Sequence, residues 1–83
     1  MSYQYGDRVV LVNNSRNTDN AAYRRLRDGV HHVYRVEYES RHGQWVEARG
    51  YNKHGRLASH YYFFPKADVV PEKLLNKNLQ DYL

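Results

Sequence analysis

Val30-His31-His32-Val33-Tyr34-Arg35-Val36-Glu37-Tyr38-Glu39 decides the fold class, because its side chains change character with a period of two. Val30, His32, Tyr34, Val36 and Tyr38 fall on one face, and His31, Val33, Arg35, Glu37 and Glu39 on the other. A strand half-buried against a core has this pattern. Ser40-Arg41-His42-Gly43 follows at hairpin length, and Gln44-Trp45-Val46-Glu47-Ala48-Arg49 returns as a second strand. Val46 and Ala48 then share one face and Trp45, Glu47 and Arg49 the other, with either face able to take the core.

The pattern extends in both directions. Arg8-Val9-Val10-Leu11-Val12 is a short, β-branched apolar run after the turn signal Gly6-Asp7, and it reads as a buried strand. Gly50-Tyr51-Asn52-Lys53-His54-Gly55 is a polar turn bounded by glycine. Residues 56–64 form a fourth strand, with Leu57, Ser59, Tyr61 and Phe63 on one face and Ala58, His60, Tyr62 and Phe64 on the other. Pro65 stops it. Ala67-Asp68-Val69-Val70-Pro71 is a fifth extended segment, which its flanking prolines confine to an edge or end.

Two segments exceed this framework. Residues 13–29 are a long connection for so small a domain, and connections of that length are functional or hide an element of their own. Ala21-Ala22-Tyr23-Arg24-Arg25-Leu26-Arg27 propagates a short helix, with Thr18 or Asp19 as N-cap and Asp28-Gly29 as the stop. Ala22 and Leu26 give it one apolar line. Residues 72–83 place Leu75, Leu79, Tyr82 and Leu83 at helical spacing, which predicts a C-terminal amphipathic helix.

The 83 residues suit one domain with one core, and a chain this short buries only about 60% of its unfolded surface. There is no cysteine, so disulfides and thiolate zinc sites are excluded. Nine tyrosines, two phenylalanines and one tryptophan carry the packing instead. No apolar run reaches the roughly 20 residues of a membrane span, and Met1-Ser2-Tyr3-Gln4-Tyr5 lacks the pattern of a signal peptide. A cytoplasmic protein is the expectation. Its size and basic balance suit a small accessory protein of a phage or bacterium.

Five short strands, tight turns and one long insertion predict a mainly β fold, a small closed barrel. Gly6-Asp7-Arg8-Val9-Val10-Leu11-Val12 resembles the opening of SH3-like barrels of the KOW and Tudor type. Phe63-Phe64-Pro65-Lys66-Ala67-Asp68-Val69-Val70 is similar to the turn into their last strand. The resemblance spans about residues 5–70. It implies a five-stranded SH3-like barrel carrying a helical insertion at 13–29.

No motif points to catalysis. His31 and His32 point to opposite faces of a strand, and His42 and His54 lie in turns, so the histidines lack metal-ligand spacing. No serine or threonine stands in a nucleophile elbow, no glycine-rich loop would cradle phosphate, and no cofactor motif is present. An acid–base ribonuclease built from His60, Glu47 and Arg49 is conceivable, but any small basic domain offers such a trio. The chain therefore reads as a non-enzymatic binding module.

Net charge is +4, and nine of the thirteen basic residues are arginine. Arginine favours planar, bidentate contacts over diffuse attraction. Arg24, Arg25 and Arg27 cluster in the insertion, while Trp45, Arg49, Tyr51, Lys53 and Arg56 lie along the second hairpin. Guanidinium groups beside flat rings are what nucleic-acid sites on small barrels use, so RNA or DNA is the first expected partner. The same residue types make protein-binding hot spots. A regulator or inhibitor of a larger cytoplasmic complex, a host complex included, is the second expectation. A buried tyrosine with its hydroxyl at the surface and an arginine lying over it would produce the same composition with no partner at all.

Overall fold

The computed structural model describes residues 2–74. The chain runs β1 (Arg8–Leu11), α1 (Ala21–Arg27), β2 (Val33–Glu39), β3 (Trp45–Tyr51), β4 (Leu57–Pro65), a 3₁₀ turn (Lys66–Asp68) and β5 (Val69–Pro71). All five strands join one antiparallel sheet in the order β4-β3-β2-β1-β5. The proline-flanked segment is an edge strand, as its composition requires. Among the described residues β4 and β5, the two ends of the sheet, do not pair with each other.

The alternation holds where the chain is regular and fails at one point. Tyr34 and Val36 of β2, Val46 and Ala48 of β3, and Phe64 of β4 are fully buried on one side. They pack with Val9, Leu11 and Val69 to form the core, closed by Tyr23 and Ala22 of α1. Rings meet edge to face at its centre, Tyr34 with Phe64 at 4.9 Å and Tyr23 with Phe64 at 5.8 Å. Tyr38, expected on the Tyr34–Val36 side, is instead half exposed. Val36 pairs with Ala48 but Tyr38 with Glu47, so Glu37 is an extra residue, a β-bulge that turns the end of β2 over. Strand β2 also begins later than the alternation predicts, at Val33, leaving Val30–His32 as loop.

The insertion forms the expected helix, capped differently at its start. Asn20, not Thr18 or Asp19, is the N-cap, its side chain accepting the Tyr23 N–H at 3.0 Å. At the far end Gly29 takes a positive φ of 78°. The Val30 N–H reaches the Arg25 carbonyl and the Gly29 N–H that of Leu26, a Schellman stop. Seven residues would not stay helical in isolation, so α1 depends on Ala22 and Tyr23 being buried.

One polar group ties the insertion to the sheet. Asp68 is completely buried at the end of the 3₁₀ turn. Its carboxylate accepts the Tyr23 hydroxyl at 2.7 Å and the Ser15 N–H at 2.9 Å, and its carbonyl accepts the Val12 N–H. Burial and this carboxylate together push the Tyr23 phenol well above its usual range. At the N-terminus, Glu39 accepts both the Tyr3 N–H and the Lys66 ammonium, and the ammonium foremost holds its carboxyl below the usual range. Residues 72–74 continue β5 as helix. The remainder of the C-terminal helix expected over 72–83 lies outside the described residues.

Candidate functional site

Strand register places side chains that sequence spacing alone leaves apart. With Val46, Ala48 and Gly50 facing the core, Trp45, Glu47, Arg49 and Tyr51 face outward. Arg8 pairs with Arg35, Arg35 with Arg49, and Arg49 with Tyr61. Three guanidinium groups therefore stand side by side across β1, β2 and β3. Adjacent like charges repel, and the fold answers with carboxylates. Glu72 takes Arg8 in a two-pronged contact at 2.9 and 3.1 Å, and Glu37 takes Arg35 at 3.0 and 3.1 Å. Glu37 also lies 3.6 Å from Arg49, whose Nε donates to the Ala58 carbonyl at 2.7 Å. Each arginine also lies over a tyrosine: Arg8 on Tyr51 at 4.9 Å, Arg35 on Tyr5 at 4.9 Å, Arg49 on Tyr61 at 5.3 Å.

Beside Arg8 this face opens into a groove of about 490 Å³, lined by Arg8, His31, His32, Tyr51, Asn52 and Lys53, with Val33 and Gly55 completing it. No carboxylate lines it. The turn that forms one wall is set by Asn52, whose side-chain oxygen accepts the His54 and Arg56 N–H groups at 2.9 and 3.0 Å. Lys53, His54 and Arg56 are thereby held out into solvent. Among the described residues neither Lys53 nor Arg56 forms an ion pair.

The inner wall is His32. Its ring lies against Gly50, where a Cβ would come within 2.8 Å of Nε2, and is tilted on Tyr34 at 4.9 Å. Burial, aided by the nearby Arg25, pushes this imidazole below its ordinary pKa and keeps it neutral near pH 7. Beyond Tyr34, rings continue to Tyr62 at 5.8 Å and from Tyr62 to the exposed His60 at 4.5 Å.

The residues expected to share one surface are divided. Tyr51 and Lys53 line the groove, and Arg56 stands on the same turn. Arg49 lies on the outer face, held by Glu37 and Ala58. Trp45 is six residues from Tyr51 along β3, about 20 Å away at strand rise, with Arg16 over its ring at 4.2 Å. Arg24 and Arg27 project from α1 beside Asp19 and Asp28, at 3.0 and 3.9 Å. Arg25 turns inward, its Nη1 3.5 Å from the Tyr34 hydroxyl. His60 shares the Tyr62–Phe64 side of β4, whereas Glu47 and Arg49 lie on the opposite side of the sheet. Those three do not come together.

Arg8, His31 and His32 were not among the expected site residues. Arg35 stands out of phase with Tyr34 and Val36, which marks it as outward-facing. Its alignment with Arg8 becomes visible only once the β1–β2 pairing is known. Among the described residues no three histidine, aspartate or glutamate side chains gather as metal ligands, and no helix is long and apolar enough to cross a membrane. Comparison with protein-family models, with curated proteins and with solved structures finds no match to this chain.

Proposed function

We propose that this chain is a non-enzymatic module that contacts nucleic acid at the groove between the 50–55 turn and Arg8. The supporting observation is the groove's lining: Lys53, two imidazoles and a tyrosine ring, with Arg8 at its side held by Glu72. Arg8 already has Glu72 as partner, and Arg35 and Arg49 have Glu37, so all three have less to gain from a phosphate. Among the described residues Lys53 and Arg56 have no such partner, and Tyr51 supplies a flat ring beside them. The SH3-like barrel reading accords with this. It draws support from the long insertion after β1, the 3₁₀ turn before β5, and the return of β5 to β1.

Fluorescence anisotropy with a mixed pool of labelled oligonucleotides tests the proposal. Binding should weaken steeply with salt, with a log–log slope of about −0.7 to −0.9 per phosphate contact. Lys53→Ala should reduce that slope by about one contact's share. No binding to any oligonucleotide at low salt would overturn the reading.

A second reading rests on a different surface. Tyr38, Tyr61 and Phe63 are 50%, 48% and 57% exposed on the outer face, next to arginines already neutralised by glutamate. Exposed aromatics among matched charges suit a protein partner, such as a subunit of a larger cytoplasmic assembly. Capture of a protein that survives nuclease treatment and is lost with Phe63→Ala would favour it.

A further inference from the structure

Building on the groove as the nucleic-acid site, we infer that its ligand is single-stranded and that an unstacked base stacks on the cation–ring pair of Arg8 and Tyr51. Two observations carry this.

The first is the kind of surface offered. Tyr51 lies under the Arg8 guanidinium at 4.9 Å, a flat cation–ring pair at the mouth of the groove. His31 is exposed beside it, and the His32 ring forms the inner wall. Ring faces gain from nucleic acid only when a base presents its own face. Bases inside a duplex are already stacked on their neighbours and present edges.

The second is that α1 is not free to read a duplex. A helix or two-stranded ribbon must enter the major groove to read base edges. The seven-residue α1 is committed to the core through Ala22 and Tyr23, and its outward arginines stand beside Asp19 and Asp28. The 50–55 turn, which closes the β3–β4 hairpin, is a compact tip fixed by Asn52 beside the Tyr51 ring.

The test is a competition at fixed low salt, read by anisotropy, among four ligands of matched phosphate number: a single-stranded pyrimidine oligonucleotide, a single-stranded purine oligonucleotide, an abasic strand and a duplex. Loss of one base stack corresponds to about a five- to hundredfold change in affinity. The two base-bearing strands should bind at least about fivefold more tightly than the abasic strand and the duplex. Tyr51→Ala should lower affinity for the base-bearing strands to near that of the abasic strand, and leave the abasic strand itself little changed. Equal binding of abasic and base-bearing strands, or preference for the duplex, would overturn this inference while leaving the groove as a phosphate-binding surface. Failure of all four to bind would overturn both. The comparison of ligands uses the unaltered protein, so it decides the matter even if Tyr51→Ala fails to fold.

Discussion

Replacing Asp68 with alanine is expected to cost about 3 kcal/mol of folding stability. The substitution removes the only carboxylate buried in the described core and strands the buried Tyr23 hydroxyl, along with the part-buried Ser15 N–H. An unmet buried donor costs about 1–3 kcal/mol, and bonds to a charged acceptor are stronger than neutral ones. Stability for a chain of this size is of the order of 4–12 kcal/mol, so the loss is a large fraction. Urea denaturation followed by circular dichroism would measure it. Asp68→Asn keeps an oxygen that can accept one of the two donors, and its loss should be about half as large. A change below about 0.5 kcal/mol in Asp68→Ala would mean that the insertion is not pinned through this residue.

Gly50→Ala is expected to cost about 1–3 kcal/mol by overpacking, and to weaken oligonucleotide binding as well. Gly50 does not need left-handed backbone; it needs room. A methyl group there would come within 2.8 Å of His32 Nε2 and 3.3 Å of Tyr34 Cε1. His32 can swing outward, into the space proposed for the ligand. Tyr34 cannot follow, because its ring is buried against Phe64 and Tyr62. Melting temperature reads the strain, and anisotropy reads the displaced imidazole. Wild-type values for both would show that the His32 ring does not rest on Gly50.

These two residues also mark the limit of what the sequence discloses. The strands follow from alternation around Tyr34, Val46 and Phe64, because a half-buried strand has to repeat every two residues. The helix stop follows from Asp28-Gly29, and the edge position of β5 from its prolines. All of these are local signals. Asp68 gives none: a single aspartate in a short extended segment shows no partner until Tyr23 and Ser15 are brought to it from 45 and 53 residues away. The bulge at Glu37 is equally silent, since one extra residue leaves the alternation of the sequence intact while turning Tyr38 outward.

The candidate site was legible in part for the same reason. Tyr51, Lys53 and Arg56 sit in one turn, so composition found them. Arg8, His31 and His32 join them only through the β1–β2–β3 register. Trp45, Arg24 and Arg27 share the composition of the groove but are not in its lining. Residue type drew them together on the page, and strand length keeps them apart in the fold.

The central claim is that nucleic acid meets this protein at the groove beside Arg8, and amide chemical-shift mapping tests it most directly. On titration of a short single-stranded oligonucleotide into isotope-labelled protein at low salt, the largest shifts should fall at residues 31–33 and 51–55. Shifts concentrated at Tyr38, Tyr61 and Phe63, or along α1 at Arg24 and Arg27, would contradict it, as would a spectrum that does not change.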